Sequence, residues 1–260
     1  MMGQLRLASL LLAVLLGSCA ASWLQFQSLP QDGSQAETAT GLLRIPPGGG
    51  RYPAIVMLPD CNGIDPHERR WGRELAEAGY VTYVIDSHFT RQVTDGCADP
   101  LPTQTLVADA LGAIKRLSER EEVDPTRLAV IGWGRGGDIA LSLVASGDLL
   151  PQTEGIRAVV AFYPTCEAAG PVSRPVTLVL PELYPDAQRC TAYADALAGE
   201  GGEPVRYLAP DGVGAGFDCE VCGSGDGVDA AYVYDAAVAD RVRETLFEQL
   251  SDFLGPKQAP

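Results

Sequence analysis

The run Arg127-Leu-Ala-Val-Ile-Gly132-Trp133-Gly134-Arg135-Gly136-Gly137-Asp138-Ile-Ala-Leu-Ser142-Leu-Val-Ala-Ser-Gly147 decides how the rest of the chain is read. Its first half is a continuous aliphatic stretch of strand length, the pattern of a parallel strand covered on both faces. Its second half carries apolar residues at helical spacing. Between the two lie Gly132, Gly134, Gly136 and Gly137, and a turn so dense in glycine lets backbones approach more closely than a Cβ allows. A strand that turns this sharply into a helix presents one residue at its tip. Here that residue is Gly134, which has no side chain to present.

Working outward, the same alternation repeats. Towards the N-terminus, Pro53 to Leu58 and Tyr80 to Ile85 are apolar runs of strand length. Asp65-Pro66-His67-Glu68 starts a helix by residue type, with Asp as N-cap, Pro at the first turn and Glu as capping-box partner; it runs to about Ala78 and stops at Gly79. His67, at the second helical position, reads as a solvent-exposed residue near a helix end. An amphipathic helix is expected over Thr103 to Arg120. Towards the C-terminus the expected elements are strands at Ile156–Tyr163, Val176–Leu180 and Val205–Leu208, and helices at Ala187–Leu197 and Ala236–Leu254. A glycine-rich loop joins Pro210 to Asp229. Gly41 to Ile45 reads as a first edge strand. This is one α/β domain, residues 41–254, with a mostly parallel central sheet and helices on both faces; its ligands should bind at the strands' carboxyl ends.

The ends read differently. Arg6, the apolar run Leu7 to Leu16 and the small residues that follow have the form of a signal peptide, residues 1–18, and the run is too short to span a bilayer comfortably. Leu16-Gly17-Ser18-Cys19 resembles a bacterial lipobox, which implies a lipidated Cys19, attachment to a membrane through that anchor and a periplasm-facing location. An ordinary secretory peptide cut near Ala21 is the alternative. Residues 19–40 read as a tether and 255–260 as a tail.

The chain has 260 residues, 46% of them hydrophobic, enough for one sizeable core. Its 19 basic and 34 acidic side chains give a net charge of −15 at pH 7. Such a surface repels phosphate backbones, which excludes nucleic acid as a partner and suits a soluble exported domain. Apart from Cys19, six cysteines remain, an even number that points to disulfides in an exported chain. Proximity in the expected fold favours Cys61 with Cys97, Cys166 with Cys190, and Cys219 with Cys222.

Pro53-Ala-Ile-Val-Met-Leu-Pro-Asp-Cys-Asn-Gly63, His67-Glu-Arg-Arg-Trp71, Gly79-Tyr-Val-Thr-Tyr-Val-Ile-Asp-Ser87, Gly132 to Gly136 and Tyr207 to Asp218 together resemble the dienelactone hydrolase family. The resemblance implies an α/β-hydrolase fold in which the glycine turn is the nucleophile elbow, Gly-x-Ser-x-Gly or Gly-x-Cys-x-Gly, and an ester- or lactone-hydrolysing triad of Cys or Ser, Asp and His. At each of those positions this chain departs. Gly134 stands for the nucleophile, Tyr184 for the acid, with Asp186 nearby, and Ala215 for the His of His-Gly-Phe-Asp. The loop that commonly reads His-Gly after the second strand is Pro59-Asp60, a carboxylate where negative charge should be stabilised. A triad acts as a unit, so these departures imply a non-catalytic binding or structural component of the envelope.

Substitute chemistry has limited material. Cys61, or Ser87, with His88 is the alternative constellation for an active hydrolase of small esters or lactones. Asp60, Asp86 and His88 all sit on strand-end loops but lack metal-ligand spacing, so no metal is expected, and no cofactor either. Cys219-Glu-Val-Cys222 reads as a loop staple, with thiol–disulfide exchange as a third class of function. A small-molecule ligand over the turn would meet Asp60, Cys61, Trp133, Gly134 and Arg135, where Trp133 and Arg135 can stack on or pair with an anion; Trp133 equally fits a core position.

Overall fold

The computed structural model describes residues 20–145, 149–167, 170–199, 203–222 and 233–255. Its sheet has eight strands: β1 (Ala21–Gln27), β2 (Thr38–Arg44), β3 (Tyr52–Leu58), β4 (Val81–Asp86), β5 (Val123–Trp133), β6 (Ile156–Phe162), β7 (Val176–Val179) and β8 (Val205–Leu208). They lie in the order β1-β2-β4-β3-β5-β6-β7-β8. β2 pairs antiparallel with β1 and β4, and every other pairing is parallel. All seven residues of β3 are buried, as a central strand covered on both faces requires.

Among the described residues six α-helices accompany the sheet: α1 (Pro66–Glu77), α2 (Thr103–Ser118), α3 (Arg135–Ala145), α4 (Leu150–Thr153), α5 (Ala187–Gly199) and α6 (Ala236–Leu254). Leu111, Leu117, Leu143, Val144 and Leu197 place α2, α3 and α5 over one face. Trp71, Leu75, Leu246 and Leu250 place α1 and α6 over the other. α1 starts where its residue types require: Asp65 accepts the His67 N–H, and Glu68 returns a bond to the Asp65 N–H, which closes the capping box.

Two expectations need correction. Residues 19–40 are not a tether throughout, because β1 lies inside them and pairs along its whole length with β2, from Ala21 opposite Arg44 to Gln27 opposite Thr38. Phe26 is buried against the Tyr83 ring and Leu24 is partly buried against the same core, so two apolar contacts and a backbone ladder hold a strand whose other residues are exposed. The folded unit therefore includes β1 as well as residues from 41 onward, and Gly41–Arg44 belongs to an inner strand rather than an edge. The second correction is His67, which is buried rather than exposed. The signal segment, Cys19 and the tail from 256 lie outside the described residues, as does the Pro210–Asp229 loop beyond Cys222.

The expected disulfides are present. Cys61 is bonded to Cys97, Cys166 to Cys190 and Cys219 to Cys222. The first ties the loop after β3 to the loop before α2, and the second ties the loop after β6 to α5.

Candidate active and binding site

The carboxyl ends of β3 to β7 bring Asp60, His88, Gly134, Tyr163 and Tyr184 to one edge of the sheet, where ligands of such sheets bind. β5 ends in the turn on which the sequence reading rested. Gly134 has φ +49°, in the left-handed region, and its carbonyl accepts the Asp138 N–H to begin the first turn of α3. The close approach is real on the other side too, since a Cβ on Gly136 would run into the Leu58 carbonyl oxygen.

Asp60 fills the space over Gly134. A Cβ at Gly134 would fall against the whole Asp60 carboxyl group, closer than any real Cβ contact. Asp60 Oδ1 accepts the Arg135 N–H at 3.0 Å and the Cys61 N–H at 2.7 Å. These two donors are the residue after the elbow tip and a residue of the loop after β3, the pair of sources from which an oxyanion hole is built in this kind of turn. A carboxylate oxygen of the chain itself thus occupies the place where a developing oxyanion would be held. The α3 N-terminus adds a favourable helix dipole to the same oxygen.

Two clefts flank Asp60. A small one, about 30 Å³, is lined by Leu58, Ile85, Leu106 and Ile139 with Ser87 and His88 at its polar side. A larger one, about 250 Å³, runs from Asp60 past Asp65, Glu68 and Trp133 to Cys222. With three carboxylate side chains on its walls, it suits a neutral or cationic ligand over an anionic one.

Behind the larger cleft lies a group that sequence reading missed. Asp218, on the late loop, is fully buried and accepts four hydrogen bonds. His67 Nε2 donates to Oδ2 at 2.9 Å, Trp133 Nε1 at 3.1 Å and Trp71 Nε1 at 3.2 Å, while the Tyr163 hydroxyl donates to Oδ1 at 3.1 Å. His67 Nδ1 faces Glu68 Oε1 at 3.3 Å. Burial alone would make the imidazole harder to protonate, but the Asp218 carboxylate beside it, with Glu68, overrides that and pushes its pKa up to about 10. Burial likewise opposes ionisation of Asp218, and the His67 charge with the indole donors holds its pKa below the ordinary value. The pair is an imidazolium–carboxylate bridge in an aromatic box, Trp133 stacked on Phe162 at 5.2 Å between ring centroids and Trp71 tilted at 5.7 Å to Trp133. One signal in the sequence pointed to it: His67, Trp71 and Leu75 are spaced four apart, so they share one face of α1, and that face is the core face.

The other anticipated residues are placed as follows. Ala215 is buried in the core between Val213 and Phe217. The Tyr184 hydroxyl contacts Asp186, and Asp186 is ion-paired with Arg189. Trp133 is a core residue whose indole N–H serves Asp218, so it is no stacking platform. Arg135 donates to the Leu101 carbonyl at 2.7 Å. Ser87 is buried and its carbonyl accepts from Arg91. The His88 ring lies against Gly63 and Gly96, and burial lowers its pKa. Among the described residues no hydrogen bond joins the Ser87 hydroxyl to the His88 ring. Cys61 is oxidised, and a disulfide sulfur is no nucleophile.

Asp60, Asp86 and His88 do not form a metal cradle, because Asp60 is turned to the elbow and Asp86 Oδ1 accepts the His88 and Phe89 N–H groups. Two other sets of potential ligand atoms do converge within 4.8 Å, Asp65 with His67 and Glu68, and Asp65 with Cys219 and Cys222. Neither fits a metal as it stands: both ring nitrogens of His67 are committed to carboxylates, and the two cysteines are bonded to each other.

Comparison with known proteins supplies a context. The pattern that defines the dienelactone hydrolase family matches residues 39–196. The protein named probable 2-oxo-3-(5-oxofuran-2-ylidene)propanoate lactonase, of Bradyrhizobium sp., is 29% identical over 139 residues, which are 50% of this chain and 53% of that one. Cutinase 2 of Thermobifida cellulosilytica is 26% identical over 126 residues, 48% of this chain and 44% of its own. The chain thus spans about half the length, or less, of the curated relatives it matches. Among solved structures, a dienelactone hydrolase-like promiscuous phosphotriesterase from metagenomic libraries superposes with a TM-score of 0.68 at 18% identity, over 91% of this chain and 100% of the other. A dienelactone hydrolase from Anabaena variabilis gives a TM-score of 0.65 at 15% identity, over 90% and 99%. At these identities the superpositions establish a shared α/β-hydrolase fold.

Proposed function

The chain belongs to the dienelactone hydrolase family, a family of hydrolases, and from that premise we propose that it has given up acyl-transfer chemistry at its elbow and acts as a lipid-anchored binding component of the cell envelope. The observation that carries this reading is the Asp60 carboxylate, which accepts both the Arg135 and Cys61 N–H groups directly over a side-chain-less Gly134. Hydrolysis of an ester through a tetrahedral intermediate needs a nucleophile at that tip and donors free to receive an oxyanion. Neither is available, and a fixed negative charge there opposes the charge that the transition state develops.

What is left is a seat for a ligand. The cleft of about 250 Å³ is lined by Asp60, Asp65 and Glu68 together with His67, Trp133, Tyr163 and the Cys222 turn; the His67 charge is matched by Asp218 behind it, so the remaining carboxylates favour a small neutral or cationic ligand. Attachment through Cys19 would hold the domain at the periplasmic face of a membrane.

Incubating the mature protein with a fluorophosphonate probe, then mapping adducts by mass, tests the loss of catalysis. No adduct and no p-nitrophenyl acetate turnover above background are expected. An adduct on Ser87 would replace this reading with hydrolysis through Ser87 and His88. Membrane attachment is checked separately, by detergent partitioning of the wild type and of Cys19→Ala: only the variant should enter the aqueous phase.

A further inference from the structure

The disulfide between Cys219 and Cys222 has features that stapling does not explain. The two residues are three apart in sequence, against 36 and 24 for the other bridges. A cross-link that closes so short a loop removes the least freedom from the unfolded chain. Its two sulfurs are also unlike each other. Cys219 is buried, 1% exposed, while Cys222 is exposed. The backbone N–H of Cys222 donates to Cys219 Sγ at 3.1 Å, an arrangement that stabilises negative charge on the buried sulfur. A carboxylate oxygen of Asp65 and both Sγ atoms lie within 4.8 Å of one another.

We propose that Cys219 and Cys222 form a thiol–disulfide exchange centre for dithiol and disulfide substrates, with Asp65 as its proton carrier. The cleft beside Cys222 is the approach for the substrate. In the reducing direction a substrate thiolate attacks the exposed Cys222 Sγ. The Cys219–Cys222 bond breaks, and its electron pair leaves on Cys219 Sγ, which takes the proton held by Asp65. The second thiol of the substrate, as thiolate, attacks its own sulfur in the mixed disulfide and releases Cys222. The substrate leaves oxidised by two electrons, and the protein holds two reduced cysteines. In reverse, the Cys222 thiolate attacks a substrate disulfide, and Cys219, giving its proton to Asp65, resolves the mixed disulfide.

Asp65 suits this role because its pKa lies near neutrality. Burial first, then the neighbouring Glu68 carboxylate, push it up to about 7, with the His67 N–H and charge pulling the other way. The groups facing it are Glu68 and His67 from its own helix and the two cysteines from the late loop, while Asp60 shares the same cleft.

Two measurements test the proposal on the full chain. The first is a dithiothreitol titration of the folded protein, with each cysteine mapped by alkylation and mass. Cys219 and Cys222 should become free at a tenfold or more lower concentration than the other four. Reduction of all three bridges together, or only in denaturant, overturns the proposal. The second uses the reduced protein and 5,5′-dithiobis(2-nitrobenzoate), reading two successive releases of nitrothiobenzoate, the first as the Cys222 thiolate attacks the reagent's disulfide and the second as Cys219 resolves the mixed disulfide. Cys219→Ser should stop after the first release. Asp65→Asn keeps the helix cap, since Asn caps as well as Asp. It should slow the second release about tenfold at pH 7, with the difference closing above about pH 9, where a thiol with the ordinary pKa near 8.5 ionises unaided. An unchanged second phase in Asp65→Asn at pH 7 overturns the assignment of Asp65.

Discussion

Asp60 lines the larger cleft and Asp218 lies buried behind it, and both are aspartates on loops that follow strands, yet they do different work. Asp218 is sealed among Trp71, Trp133 and Tyr163 with its charge matched by His67. Asp60 is half-exposed, and the partners of its Oδ1 are backbone N–H groups, Arg135 at the start of α3 and Cys61 in the loop after β3. A charge matched by a charge and boxed in aromatic rings is structural: it joins α1, β5 and the late loop. A charge held by backbone dipoles sits where a ligand or an oxyanion belongs. The difference teaches that a carboxylate near an active-site edge is to be judged by its donors rather than by its position.

The comparison breaks most sharply at Asp218. Asp218→Ala leaves the His67 imidazolium buried without its counter-charge and should cost about 3–5 kcal/mol, read from urea unfolding midpoints at pH 6. A loss under 1 kcal/mol would mean that the bridge does not hold the late loop.

The next effect is the pH profile. His67 has a raised folded-state pKa, about 10 against the ordinary 6.5, so its stabilisation is complete below about pH 6.5 and is lost as pH rises towards 10. Asp65, raised to about 7, acts in the same direction between pH 3.8 and 7, because the folded form favours the protonated carboxyl. Asp218 is depressed, so its contribution is present above 3.8 and is lost as pH falls through its folded-state pKa. The unfolding free energy should therefore peak on the acidic side of neutrality and fall towards pH 10 by a few kcal/mol. In the Asp218→Asn variant the fall between pH 7 and 10 should largely disappear, and a wild-type profile that is flat over that range contradicts the bridge.

At the other carboxylate, Gly134→Ser should lower stability by about 1–3 kcal/mol, through a left-handed backbone and a collision with Asp60, and restore no ester turnover. Combining it with Asp60→Gly should recover part of that loss, a coupling that a double-mutant cycle by thermal unfolding measures directly. Additive losses would place Asp60 away from the elbow.

The smallest effect concerns the bridge at the cleft mouth. Replacing both Cys219 and Cys222 with Ser should cost no more than about 2 kcal/mol, against about 4 kcal/mol for the Cys61–Cys97 pair, on the loop-entropy account of the two separations. Thermal unfolding of the two double variants side by side checks the ranking.

Much of the fold was legible because parallel strands buried on both faces must be continuously apolar and because caps announce helices. Pro53–Leu58, the turn at Gly134 and the capping box at Asp65 needed no partner to be read. β1 was missed because its strandness comes from pairing with β2: five of its seven residues, Trp23 among them, are exposed, and Phe26 is its one fully buried residue. His67 was misjudged because position near a helix start suggests solvent, while its burial is set by a carboxylate 151 residues away in the chain.

The sequence by itself determined the α/β architecture, the missing nucleophile at Gly134, the alanine at 215 and the six cysteines available to pair, since these are properties of residue identity and local period. Only the tertiary structure decided what those absences left behind. That Asp60 Oδ1 lies between the Arg135 and Cys61 N–H groups, and that His67 finds Asp218, depend on loops from different strands meeting at one edge of the sheet. Electrostatic roles arise from distance and burial, and neither is encoded in the spacing of residues along the chain.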